Sequence, residues 1–166
     1  MTDDFTITLR LDTEAETLDF ARCVAPALKA GDVLLLRGDL GAGKTTFTRG
    51  LAVGMGSPAA VSSPTFTLIH EYGGGRLPLV HVDAYRLTGA GDAREIGLVE
   101  YLDLGEAVLV IEWPERIEAA LPPERIEIRI DEWGDDARRA TLTWVGARVR
   151  DRWAEVESAL SALPRC

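Results

Sequence analysis

The sequence predicts an α/β fold: a central mixed sheet with parallel core strands, antiparallel hairpins and flanking helices. Three observations carry this. DVLLLRG (32–38) and AVLVIEW (107–113) are short and almost wholly apolar, the pattern of strands buried on both faces of a parallel sheet. RIEIRID (125–131) and ATLTWVG (140–146) alternate apolar and polar residues on either side of EWGDDARR, as the arms of a half-buried hairpin do. GDLGAGKTT (38–46) lies between the first apolar run and a helical pattern, so it is a glycine-rich strand-to-helix turn.

The elements follow in order. Phe5, Ile7 and Leu9 alternate with Thr6, Thr8 and Arg10, which predicts an edge strand. TEAE (13–16) is a capping box with Thr13 as N-cap and Glu16 reaching back. The helix it opens runs to about Lys29, with Leu18, Ala21, Ala25 and Leu28 on one face and a kink or early end at Pro26. A helix from Lys44 to about Met55 closes at Gly54 and Gly56. SPTFTLIHEY (63–72) and LPLVHVDAY (77–85) are strand-like, and GGGR (73–76) between them predicts a hairpin. DAREIGLVEYL (92–102) is one short helix. ARVRDRWAEVESALSAL (147–163) is a C-terminal helix showing Val149, Trp153, Val156, Leu160 and Leu163 on one side.

The 166 residues suit one domain, spanning 1–166. The chain is acidic, with 18 Lys and Arg against 27 Asp and Glu for a net charge of −9. That argues against a broad nucleic-acid face, because phosphate backbones are held mainly by Lys and Arg. Any contact with nucleic acid is then expected through a partner. Cys23 and Cys166 form no metal or disulfide spacing and are expected to be a small buried residue and a tail residue. His70 and His81 are too few and scattered for a zinc site. The N-terminal MTDDFTITLR has no secretory h-region, and apolar runs fall far short of the ~18 residues a membrane span needs. A cytoplasmic location is expected.

Gly38–Thr45 fits G-x-x-x-x-G-K-[ST] without a gap. Glycines let backbone N–H groups turn inward on an anion, and the following helix N-terminus adds its positive dipole end. Lys44 is placed to reach β- and γ-phosphates and the Thr45 hydroxyl to ligate Mg²⁺. Such a loop needs an acid at a neighbouring strand end to hold the metal or orient a water. Two strands offer one: LPLVHVD ends at Asp83 and AVLVIE at Glu112. The residues alone do not rank them. Trp113 serves equally well as an aromatic cap on its strand or as part of a site. Arg86 either screens phosphate charge or pairs with Asp83, pairing being the more frequent fate. Ser62, Ser63 and Thr65 around Pro64 form either an ordinary turn or a segment that senses the γ-phosphate.

GDLGAGKTTFTRG, VSSPTFTLIHEY, HVDAYRL, EIGLVEYL and VLVIEWPERI, in that order, resemble the TsaE family, formerly YjeE. The resemblance runs from about Thr13 to Arg138, and SPTFTL and the EWPE stretch are more specific than the phosphate loop. It implies a P-loop NTPase fold and weak, Mg²⁺-dependent hydrolysis of ATP. It also implies work within bacterial tRNA threonylcarbamoyladenosine biosynthesis, in complex with TsaD and TsaB, supporting turnover of that complex and meeting tRNA only indirectly. By the same resemblance Asp39, Leu40, Gly41, Ala42, Gly43, Lys44, Thr45 and Thr46 hold the phosphates. Thr45 and Glu112 match magnesium-associated positions, and Asp83 is the other key acid. Catalysis then falls to Lys44, Asp83 and Glu112. Ser63, Pro64 and Thr65 match a segment likened to a switch. Arg138 matches a nucleotide-contacting arginine, with Glu14 or Thr17 near the adenine. Ala84 departs from the leucine often found there in the family and bears on packing only.

Three other readings fit a phosphate loop. A small-molecule kinase usually has a lid with several arginines, but the stretch after Tyr85 has only Arg86 and Arg94. A GTPase would carry N-K-x-D or T-K-x-D late in the chain, and neither is present. A nucleotide-dependent adaptor would use ATP binding alone to order 63–72 and dock a partner.

Overall fold

The computed structural model describes residues 4–146 and 150–163. Its elements are β1 (Phe5–Leu11), α1 (Glu14–Val24), β2 (Val33–Arg37), α2 (Lys44–Gly54), β3 (Ile69–Tyr72), β4 (Leu79–Asp83), α3 (Ala90–Glu95), α4 (Leu98–Leu104), β5 (Val108–Glu112), β6 (Arg125–Glu132), β7 (Arg138–Val145) and α5 (Arg150–Leu160). Short 3₁₀ segments follow α1 (Ala25–Ala27) and β5 (Pro114–Ala120).

The strands form one seven-stranded sheet in the order β1-β7-β6-β2-β5-β4-β3. β6, β2, β5 and β4 are parallel. β1–β7, β7–β6 and β3–β4 are antiparallel. This is the mixed α/β architecture expected from the sequence. Successive residues of β2 alternate between two cores. Leu34 and Leu36 join α1, α2, α5 and the inner face of β1-β7-β6, whereas Val33 and Leu35 join α3, α4 and the 114–120 segment. A strand with helices on both faces must be largely apolar, and β2 and β5 are apolar up to their last residues, Arg37 and Glu112. The hairpin strands have one covered face: Ile126, Ile128 and Ile130 are buried, while Arg125, Glu127, Arg129 and Asp131 lie on the other side with Thr141 and Thr143.

Thr13 caps α1, its hydroxyl accepting from the Glu16 amide at 3.1 Å, while Glu16 accepts from the amide of Asp12, one residue before the cap. Pro26 ends the helix early, as Ala25–Ala27 tightens into a 3₁₀ turn short of Lys29. The expected single helix over 92–102 is two, because Gly97 turns to φ 87° and separates α3 from α4. The expected strand over 63–72 is confined to β3. Leu68 at φ 67° donates its amide to Pro64 O at 2.8 Å, which closes a turn where six strand residues were expected. The hairpin itself stands, with Tyr72 opposite Leu79. Cys23 is half-buried rather than buried. Val149 and Cys166 lie outside the described residues, and Trp153, Val156 and Leu160 of α5 pack into the larger core. Among the described residues no helix is long and apolar enough to cross a membrane.

Candidate functional site

Parallel strands place their C-terminal ends, and the loops that leave them, on one edge of the sheet, where α/β proteins build sites. Here the ends of β2, β5 and β4 deliver Gly38–Gly43, Glu112 and Asp83 side by side. Leu36 of β2 is opposite Glu112, which is opposite Asp83. The geometry therefore separates two acids that the sequence left unranked: Glu112 is on the strand beside the phosphate loop, and Asp83 is one strand further out.

The loop is held close. At Gly38, φ is +150° and a Cβ would stand 2.4 Å from Ile130 O, so only glycine fits beneath β6. Ala42 N–H donates to Asp39 O at 3.1 Å, and Gly43 caps α2 without a side-chain bond. The first amides of α2 are thus left for another acceptor. Asp39, Leu40 and Gly41 are exposed; Ala42 is buried, and Gly43, Thr45 and Thr46 are half-buried.

Lys44 is folded inward. Its Nζ donates to Gly38 O at 2.6 Å and lies 3.8 Å above the centroid of the Trp113 ring. Burial pulls the ammonium below the ordinary lysine range, and Glu112, Asp83, Glu115 and Asp39 pull it back up. Trp113 has φ 57° and is half-buried; its ring lies 5.0 Å from that of Tyr85. Arg37 holds the segment after Trp113 from below, reaching Glu118 at 2.7 Å and Glu115 at 3.4 Å.

Asp83 and Glu112 are 7% and 4% exposed. Asp83 Oδ1 accepts the Tyr85 amide at 2.9 Å. Arg86 does not pair with Asp83 as the sequence suggested; its guanidinium lies over the Phe66 ring, 5.2 Å from the centroid. Glu112 Oε2 is 2.8 Å from Nε2 of His81, which is wholly buried. The oxygens of Thr45, Asp83 and Glu112 are the hard donors a small divalent cation takes.

Ser63, Pro64 and Thr65 lie in the strap before β3. The Ser63 and Thr65 hydroxyls are 2.9 Å apart, and Pro64 is buried. The strap is tied down at both ends: Tyr72 OH donates to Ser62 O at 2.9 Å, and Asp83 N donates to Leu68 O at 2.9 Å. On the other side of the loop, Glu14, Thr17, Gly41, Ala42, Gly43, Thr46, Asp136 and Arg138 line a cleft of about 290 Å³ between α1 and the β6–β7 turn. The Thr46 hydroxyl donates to Glu14 there at 3.4 Å. Of the residues that family resemblance assigned to phosphate and adenine, Gly41, Ala42, Gly43 and Thr46 share this cleft with Glu14, Thr17 and Arg138.

A family model, Threonylcarbamoyl adenosine biosynthesis protein TsaE, matches residues 11–140. The chain belongs to the TsaE family. A TsaE of Bacillus subtilis (strain 168), named as a tRNA threonylcarbamoyladenosine biosynthesis protein, is 50% identical over 133 residues, 80% of this chain and 82% of that one. A Streptomyces coelicolor TsaE of the same name is 42% identical over 150 residues, 87% of this chain and 98% of its own. The crystal structure of Bacillus subtilis YdiB superposes with a TM-score of 0.80 at 42% identity, covering 95% of this chain and 97% of that one.

Within this TsaE-family fold, sequence reasoning missed His81. A signal was present: in His-Val-Asp, residues two apart on a strand share a face. Leu79, Val108 and Val110 of that face point into the core under α1 and α2. His81, Asp83 and Glu112 share their parity and so lie on the same face of the sheet as α1 and α2.

Proposed function

We propose that this TsaE-family protein binds ATP with Mg²⁺ and hydrolyses it slowly. Its role is to support turnover of a TsaB–TsaD complex in tRNA threonylcarbamoyladenosine modification, meeting tRNA only through those partners. The observation that carries the reading is the placement of two buried carboxylates, Glu112 and Asp83, at adjacent strand ends facing Lys44 of the phosphate loop. The family membership supports the biological setting.

The roles follow from the chemistry of each group. Backbone amides of 39–46 bind the phosphates, and Lys44 leaves Gly38 O to meet the β- and γ-oxygens. Thr45 and Glu112, with Asp83 beside them, would hold Mg²⁺, which when bound neutralises charge on the phosphate oxygens. The acid not taken by the ion orients the water that attacks the γ-phosphorus. The bond to the β-phosphate oxygen breaks, and ADP and phosphate leave. Arg138, Glu14 and Thr17 flank the nucleoside side of the cleft, and Ser63–Thr65 stand where a strap can answer to the γ-phosphate.

ATP turnover by the purified protein, alone and with TsaB and TsaD, tests this. Slow turnover that the partners raise is expected. Phosphate transfer to a small acceptor in place of water would replace the reading with a kinase. One feature favours a second reading, a nucleotide-dependent adaptor. Leu40 and Phe66, 79% and 84% exposed, stand on the loop and the strap as apolar contacts for a partner. Full support of the TsaB–TsaD complex by a non-hydrolysable ATP analogue would favour it.

A further inference from the structure

The contact between Glu112 and His81 has no part in the roles just described. His81 is on β4, wholly buried, with Nε2 2.8 Å from Glu112 Oε2. Its Nδ1 is the buried side-chain atom without a hydrogen-bond partner among the described residues. An ionised Glu112 only accepts hydrogen bonds, and Nε2 is then the nitrogen that donates. The opposite tautomer would set a lone pair against the carboxylate and bury an N–H with nothing to accept it. An orphaned N–H is the rarer defect in folded proteins, and an orphaned acceptor is the milder one. The Tyr72 ring packs 6.3 Å away and limits the imidazole, while the Tyr72 hydroxyl is itself held by Ser62.

We propose that His81 is the positioning residue for Glu112. Its Nε2–H occupies Oε2 and leaves Oε1 as the single oxygen that Glu112 presents to the phosphate side. The proposal rests on the nucleotide reading above. A glutamate has several rotatable bonds, and this one stands near a lysine. Without an anchor it would be free to turn Oε1 away from the phosphate side, while Lys44 Nζ is held separately on Gly38 O.

Two measurements test this. In nucleotide-free protein labelled with ¹⁵N-histidine, His81 is expected to show a protonated Nε2 and a bare Nδ1. A protonated Nδ1 overturns the proposal, whatever nucleotide does. Second, calorimetry of ADP binding with and without Mg²⁺ is compared in the wild type, His81→Leu and His81→Gln. Leucine fills the space without a donor; the glutamine amide donates from near the Nε2 position. Outer-shell partners of this kind are typically worth about 10–100-fold in metal affinity. His81→Leu is therefore expected to lose at least about tenfold of the Mg²⁺-dependent gain, with Mg²⁺-free affinity moving less than about threefold, and His81→Gln to recover most of it. A full Mg²⁺ gain in His81→Leu overturns the proposal. A wild type with no Mg²⁺ gain overturns the metal-dependent nucleotide reading instead, and the tautomer still decides whether His81 holds Glu112.

Discussion

At the residue scale the site turns on how Lys44 is stored. Its ammonium is held by one carbonyl and one ring, Gly38 O and Trp113, in a pocket whose burial disfavours the charge. On the proposed reading, a bound phosphate would have to take the lysine from both. Lys44→Ala is expected to weaken ATP binding by at least about 100-fold, since charge-assisted hydrogen bonds to two phosphates are worth roughly 1.5–3 kcal/mol each. Calorimetry measures it, and unchanged affinity would remove Lys44 from the site. Trp113 emission is expected to change on ATP binding in the wild type; a signal indifferent to saturating ATP would return the ring to a purely structural cap. Asp83→Asn and Glu112→Gln should lower turnover at least about tenfold while moving Mg²⁺-free ATP affinity less than about threefold, if the acids act on metal and water. Equal losses of binding and turnover would point to a structural role. The sequence supplied Lys44, Asp83 and Glu112 because each sits at a fixed offset from a recognisable run. His81 escaped notice because a buried histidine has no spacing of its own until the strand register is known.

At the element scale α1 packs closely on α2, the helix that follows the phosphate loop. A Cβ on Gly50 would lie 2.6 Å from Ala21 Cβ and 2.6 Å from Leu18 O. The second contact is backbone, so α1 itself would have to retreat. Alanine gains up to about 1 kcal/mol in helix propensity, but overpacking costs about 1–3 kcal/mol. Gly50→Ala is therefore expected to destabilise in urea unfolding, and a stabilised variant would show α1 to be loosely seated. β3 carries the other element-scale prediction. Tyr72 ties its strand to the Ser62 strap, and burial pushes its phenol up from the usual value near 10. Tyr72→Phe is expected to cost about 1 kcal/mol at neutral pH, the worth of a lost hydrogen bond. Above about pH 10 the unfolded tyrosine releases its proton before the folded one does, so the wild type loses stability with rising pH. Phenylalanine loses none by this route, and the gap should narrow there. A gap constant from pH 7 to about pH 10.5 would contradict this. The strap also shows where sequence reasoning overran: 63–72 has strand-like composition throughout, yet Leu68 adopts a left-handed turn conformation, and nothing in residue type announces that.

At the scale of the whole molecule, the parallel core was legible because doubly buried strands must be apolar. The hairpins were legible because singly buried strands alternate. The strand order was not, since β2 lies between β5 and β6, partners that are distant in sequence. That order has a mechanical consequence. The cleft draws on α1, the phosphate loop, α2 and the β6–β7 turn, so a ligand lying in it links elements distant in sequence. Binding to the folded state alone stabilises it by mass action, about 2.7 kcal/mol at a ligand concentration 100 times Kd. For a chain of this size each kcal/mol moves the thermal midpoint by roughly 2–4 °C. ATP with Mg²⁺ at that excess is therefore expected to raise Tm by about 5–10 °C in the wild type and not in Lys44→Ala. If the nucleoside lies in the cleft between α1 and the β6–β7 turn, as proposed, Arg138→Ala should show a smaller shift at the same ATP concentration while keeping the ligand-free Tm. An Arg138→Ala shift equal to the wild type would place the base elsewhere and confine the site to the strand ends of β2, β4 and β5.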